Sequence, residues 1–132
     1  MVWKNLPLEM HKDALPAAMA SMAANEQGKF WEMHDKLFQN QPKIKSEDFM
    51  KYAQEIGLDM GRFKQAVDTA KFKAQIDADS SEAAALGVTG TPAFFVNGKF
   101  LSGAKPFEEF AKVINAELQK KNIPIPEGAP KS

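Results

Sequence analysis

Hydrophobic positions recur every three or four residues over most of the first two-thirds of the chain and then switch to a period of two. The opening residues 1–8, Met-Val-Trp-Lys-Asn-Leu-Pro-Leu, stand outside both patterns. Val2 and Trp3 favour a pleated surface and Pro7 cannot donate a ladder hydrogen bond, so a short strand with a stop is expected there. From Asp13 the spacing turns helical. Asp13 suits a cap, Pro16 is tolerated in a first turn, and Leu15, Met19 and Met22 fall on one side. The alanines between them let a neighbouring element approach closely, and Gly28 ends the helix. Lys29–Phe38 forms a second helix, with Phe30, Trp31, His34, Leu37 and Phe38 on a broad apolar side. A third is capped by Ser46, with Glu47 and Asp48 complementing the positive end of its dipole. Phe49, Ala53 and Ile56 face its core, Gly57 gives a left-handed stop and Leu58 folds back. Asp59 caps a fourth helix through Phe63, Val67 and Ala70. That pattern continues, or restarts after a bend, through Phe72, Ile76 and Ala83 to Leu86, where Gly87 stops it.

Beyond Gly87 the period changes. Pro92–Val96 is a compact β-rich run, Asn97-Gly98 is a strong two-residue hairpin signal because both turn positions need positive φ, and Lys99–Leu101 returns as the partner strand. Pro106 suits the first position of a last helix, whose Phe107, Phe110, Ile114 and Leu118 share a face. The expected order is strand, four or five helices, β-hairpin, helix: an α/β domain over 1–121. An extended, proline-containing tail over 122–132 follows.

Bulk properties narrow the functional classes. A chain of 132 residues with 44% hydrophobic and 26% charged residues has the mix of an ordinary globular domain. The longest apolar runs, such as Ala93–Val96, fall far short of a bilayer span, and Lys4, Asn5, Glu9 and His11 interrupt any signal-peptide-like region. Lys plus Arg number 17 and Asp plus Glu number 17, with no basic cluster, so neither nucleic acid nor membrane is an expected partner. The chain has no cysteine, which removes disulfides, thiolate metal sites and iron–sulfur clusters from its own chemistry.

Two stretches carry a resemblance. One is the Val-Trp-Lys-Asn-Leu-Pro-Leu opening, followed by His11, the alanine-rich helix and Gln-Gly-Lys-Phe-Trp-Glu-Met-His-Asp-Lys-Leu-Phe at Gln27–Phe38. The other is Gly-Val-Thr-Gly-Thr-Pro-Ala-Phe-Phe-Val-Asn-Gly at Gly87–Gly98, with the Pro-Phe-Glu-Glu-Phe helix from Pro106. Together they resemble the DsbA-like branch of the thioredoxin superfamily. The resemblance implies a partial thioredoxin-like fold: the strand at 1–8, a helical insertion over 13–86, and a ββα half over 87–121. It also implies a cis peptide bond at Thr91–Pro92. Gly90, Thr91 and Pro92 then form a substrate-binding loop against which a peptide or protein substrate pairs.

The departure from the family is as informative as the match. The family's first strand, its C-x-x-C motif and the helix that motif caps are expected before Val2, and no cysteine exists here to supply the thiolate. Ser21, Ser46, Ser80, Ser81 and Ser102 are not redox-active. The expected function is therefore that of a DsbA-like family protein or fragment, truncated and redox-inactive in this form, with no catalytic residue and no cofactor. The family's compartment is extracytoplasmic, periplasmic in bacteria. Because the absent strand is central in the family's sheet, exposed strand edges point to a rearranged sheet, an oligomer or a fragment. Two alternatives share the architecture: a non-catalytic peptide-binding module, and a glutathione-dependent protein like the kappa-class transferases, whose catalytic serine would also lie before Val2.

Other candidates have plainer readings. His11 and His34 are too irregularly spaced for a metal pair, and His34 is expected to pack on the apolar side of its helix. Met19, Met22 and Met33 read as core rather than as an adaptable binding surface.

Overall fold

A computed structural model of the chain describes residues 1–128 and separates into two compact units, one over Met1–Gly87 and one from Val88 onward. The first holds five helices: α1 (Ala14–Asn25), α2 (Phe30–Gln39), α3 (Ser46–Glu55), α4 (Met60–Asp68) and α5 (Lys73–Ala85). The second holds β1 (Ala93–Val96), β2 (Lys99–Ser102) and α6 (Phe107–Lys120).

α1 is the centre of the first unit and touches α2, α3, α4 and α5. Its alanines make this geometry: Ala20, Ala23 and Ala24 are fully buried, so the neighbouring helices approach without side chains in the way. Around them lie Met33 and Leu37 from α2, Phe49, Tyr52 and Ala53 from α3, and Phe63 and Ala66 from α4. Met22 and Met33 are buried too, the packing role expected of them. The Tyr52 hydroxyl, carried into this core, donates to the Lys43 carbonyl at 2.8 Å. Its phenol pKa is raised by burial, with Asp48 and Glu55 adding to the effect.

The helix ends follow local chemistry, with two adjustments to the pattern above. Asp59 caps α4 by accepting from the Arg62 N–H at 2.9 Å. Asp13 occupies the cap position of α1 but accepts no capping bond through its side chain. α3 starts at Ser46 itself, its cap is Lys45, and Asp48 accepts from the Lys45 N–H at 3.0 Å. Gly57 is left-handed and lets the Leu58 N–H reach back to the Ala53 carbonyl at 3.0 Å, which seats Leu58 in the core. The pattern after Asp59 restarts rather than continues: Ala70 takes a positive φ between α4 and α5.

Residues 1–8 form no strand, contrary to the expectation from Val2 and Trp3. A strand exists only with a ladder partner, and the sheet among the described residues contains β1 and β2 alone. This segment is instead fastened to α5. The Asn5 N–H and its side-chain amide both donate to the Asp79 carboxylate, at 2.9 and 3.1 Å, and Lys4 pairs with Glu82 at 3.1 Å. Asn5 and Asp79 are both buried.

In the second unit Asn97 and Gly98 both take positive φ, as a two-residue hairpin turn requires, and β1 pairs antiparallel with β2 from Val96↔Lys99 to Ala93↔Ser102. Pro106 stands one residue before α6, at its cap rather than at its first position. Ala111 and Asn115 are the buried residues of α6, while Phe107 and Ile114 remain exposed. Within the tail region, residues 121–128 have no regular structure, and 129–132 lie outside the described residues.

Candidate functional site

The loop that leads into β1 is where the resemblance places substrate-binding residues. Gly90, Thr91 and Pro92 are all exposed, and the Thr91–Pro92 peptide bond is cis. The Pro92 carbonyl accepts from the Gly103 N–H at 2.8 Å, which extends the ladder one pair beyond Ala93↔Ser102. Antiparallel ladders alternate bonded and non-bonded pairs. Pairs Val96↔Lys99 and Phe94↔Leu101 therefore share the bonded phase of Pro92 and Gly103. The backbone N–H and C=O of Ala93 and Phe95 then point to the opposite edge of β1, where no strand or backbone group among the described residues meets them. The Thr91 N–H and C=O are likewise without a partner among those residues.

Side chains divide between the two faces of the hairpin. On one, Phe94 meets Phe110 of α6 edge-on, with ring centroids 4.8 Å apart. Lys99 on β2 reaches Glu117 of α6 at 3.1 Å, and Lys120 approaches the same carboxylate at 2.9 Å. Those two ammonium groups, Lys120 first, hold the Glu117 carboxyl down to about 2. The helix is thereby tied to the hairpin by an aromatic contact and an ion pair. On the other face Phe95 lies on Phe100 at 5.1 Å, and both rings are exposed.

A second feature lies in the helical unit. Trp3 packs against Phe30 at 5.2 Å, Trp31 at 6.0 Å and His34 at 5.6 Å, and His34 stands against Phe38 at 4.6 Å. Of these, Trp3 is 47% exposed, Trp31 48% and Phe38 63%. The buried side of α2 is therefore Met33 and Leu37, and of the broad apolar side read from the sequence Trp31 and Phe38 lie largely at the surface. His34 is half-buried among the rings, with its Nδ1 3.0 Å from Asp35. The cluster opens onto a cavity of about 380 Å³ lined by Trp3, Phe30, Trp31, Asn25 and Gln75 among others. The strand expected over residues 1–8 kept Trp3 apart from the apolar side of α2, so the grouping was not foreseen; the signal was the density of rings at 30, 31, 34 and 38.

Neither region can carry thiol–disulfide exchange, since no thiol exists in the chain. Among the described residues no group of three or more His, Cys, Asp or Glu gathers where a metal could be held, and no helix is long and apolar enough to cross a membrane. The arrangement offers unpaired backbone and aromatic surface.

A mostly helical chain closed by an antiparallel hairpin and a helix is a partial thioredoxin-like fold, and two solved structures share it. One is the thiol-disulfide exchange protein alpha-DsbA2 of Wolbachia pipientis, with TM-score 0.77 and 19% identity, covering 88% of this chain and 64% of that one. The other is a thioredoxin-like oxidoreductase of Silicibacter pomeroyi, with TM-score 0.74 and 24% identity, covering 83% and 64%. More specifically, the model of the DSBA-like thioredoxin domain matches residues 2–115, and the chain belongs to that family. Curated relatives include the Na(+)/H(+) antiporter NhaA 3 of Salinispora tropica, 37% identical over 128 residues, which are 96% of this chain and 20% of the antiporter. NhaA 1 of Mycolicibacterium gilvum is 41% identical over 101 residues, 74% of this chain and 16% of the antiporter. The chain spans at most about a fifth of the length of these relatives.

Proposed function

We propose that this chain is a DSBA-like module that holds extended polypeptide and performs no thiol–disulfide exchange with its own residues. The observation that carries the reading is the unpaired edge of β1 at Ala93 and Phe95, running on from the exposed Gly90–Thr91–Pro92 loop. A strand laid along that edge satisfies backbone groups that otherwise rely on water, and the exposed Phe95 and Phe100 rings offer apolar contact to alternate side chains of the added strand. Thr91 contributes its free N–H and C=O, Pro92 ends the bonded ladder, and Gly90 leaves room beside them. The absence of cysteine makes the module a holder rather than an oxidant or reductant. The antiporter relatives, in which the matched region is a small part of a longer protein, fit a module that acts next to other polypeptide. An extracytoplasmic location belongs to the same proposal.

The test is binding of a labelled, unstructured apolar peptide, read by fluorescence anisotropy, against the same peptide N-methylated at alternate backbone positions. Removing two of its donors is expected to weaken binding about tenfold, the scale of two ordinary backbone hydrogen bonds. Insulin reduction is expected to show no turnover. Equal affinity for both peptides, or measurable turnover, overturns the reading.

A further inference from the structure

The aromatic surface of the helical unit has no part in the strand-edge reading, and it has physical features of its own. Trp3 is not a loosely hanging terminal residue: its neighbour Asn5 is fixed to the buried Asp79 by two hydrogen bonds, so the indole is held against Phe30 and Trp31. Trp3 and Trp31 meet nearly edge to face, at 86°, beside the cavity of about 380 Å³, which falls in the roughly 300–1,000 Å³ range of ligand pockets. The Trp31 indole N–H has no acceptor among the described residues. Ridged aromatic surface with a free indole donor is the chemistry that receives polyproline-type segments. Proline rings stack between the aromatic side chains, and a carbonyl of the extended backbone, which makes no internal hydrogen bond, accepts from the indole.

The chain itself carries such a segment. Ile123-Pro124-Ile125-Pro126 has no regular structure, Ile123 is 51% exposed, and neither proline can donate a hydrogen bond. Lys121 precedes it without an ion pair among the described residues, and Asp35, one helical turn after Trp31, presents an exposed carboxylate. Apolar character and charge therefore match between segment and surface. The Lys121, Asn122 and Ile123 N–H groups turn back onto the last carbonyls of α6, so the six residues from Ile123 to Gly128 span at most roughly 19 Å at about 3.1 Å each, enough to leave one copy and meet the ring cluster of another.

We propose that the Trp3–Trp31 surface is the docking site for the Ile123–Pro126 segment of a second copy of this chain, with Lys121 of that copy set against Asp35. The prolines lie over the indoles, and the Trp31 N–H donates to a segment carbonyl. The result is a dimer held by tail exchange, independent of any strand added to β1.

The experiment is light scattering on the full chain over a wide concentration range, alongside three full-length variants: Trp31→Ala, Trp31→Phe and Ile123→Ser with Ile125→Ser. Trp31 and Ile123 are exposed and Ile125 is half-buried, all outside the buried core, and far-UV ellipticity of each variant checks that the fold is kept. A concentration-dependent dimer is expected. Trp31→Ala and the double isoleucine variant should each weaken it at least about tenfold, the scale of losing one aromatic or apolar anchor. Trp31→Phe should fall between, having kept a ring and lost the donor. A synthetic Lys120–Gly128 peptide should dissociate the dimer and shift tryptophan emission. A chain that stays monomeric at all concentrations overturns the proposal. So does a dimer indifferent to both sets of substitutions, as a strand-edge dimer would be. A change of tryptophan emission in the isoleucine variant with no change of mass also refutes it, by placing the segment on its own copy.

Discussion

Asp79 bears more structural responsibility than its place on a surface helix suggests. Its carboxylate accepts from the Asn5 N–H at 2.9 Å and from the Asn5 side-chain amide at 3.1 Å, and both residues are under 10% exposed. In Asp79→Ala the two donors keep their burial and lose their acceptor. A hydrogen bond to a charged group contributes about 1.5–3 kcal/mol, and a buried donor left unpaired costs about 1–3 kcal/mol. Because both bonds end on one oxygen they are not additive, and the expected loss is about 2–4 kcal/mol rather than their sum. Asp79→Asn retains an acceptor of the same size and should lose only about 1 kcal/mol, the charge assistance. Urea unfolding followed by far-UV ellipticity reads the helical unit, and tryptophan emission read beside it follows Trp3 as its anchor is released. A red-shifted emission with the loss above is the expected result. If Asp79→Ala lies within about 0.5 kcal/mol of the parent with unchanged emission, the account of how residues 1–8 are fixed is wrong.

Other outcomes follow from the same geometry. Phe63 is fully buried between helices, so Phe63→Ala should lose about 3–5 kcal/mol in urea unfolding. Glu117 is held at about 2 by Lys120 and Lys99, against roughly 4.3 in an unfolded chain. A depressed carboxyl stabilises fully above its unfolded value and loses that contribution as pH falls through the folded one, so the hairpin and α6 should weaken between about pH 4.5 and 2. NMR titration of the Glu117 side chain reads the value directly, and Glu117→Gln should remove that part of the pH dependence. Gly98 sits at φ +81 in the hairpin turn with open space around it. Gly98→Ala should therefore lose roughly 1–2 kcal/mol from backbone conformation alone, visible in the hairpin's amide exchange.

Some of this architecture was legible in the residue order because it is decided within a few residues. The Asn97-Gly98 turn, the stops at Gly57 and Gly87 and the Asp59 cap each depend on a local dihedral or a bond between near neighbours. The helical spacing of Phe49, Ala53, Phe63 and Ala66 likewise identified residues that are buried. Where the reading went astray, the deciding partner lay far away in sequence. Val2 and Trp3 have strand propensity, but propensity cannot provide a ladder, and Asp79, seventy-four residues after Asn5, took the backbone instead.

What the sequence determined by itself is the family, the order of helices and hairpin, and the absence of thiol chemistry, since no arrangement of a chain without sulfhydryls can make one. What only the tertiary structure decided is which polar and aromatic groups lack partners. A period of 3.6 shows that Phe30, Trp31, His34 and Phe38 share a side of α2, yet not that α1 and α3 cover Met33 and Leu37 instead, leaving Trp31 and Phe38 at the surface. The same holds for β1, whose alternation defines two edges while only the assembled sheet shows that one of them is open. Exposure and satisfaction of hydrogen bonds are properties of neighbours brought together by folding, and the spacing of residues along the chain does not contain them.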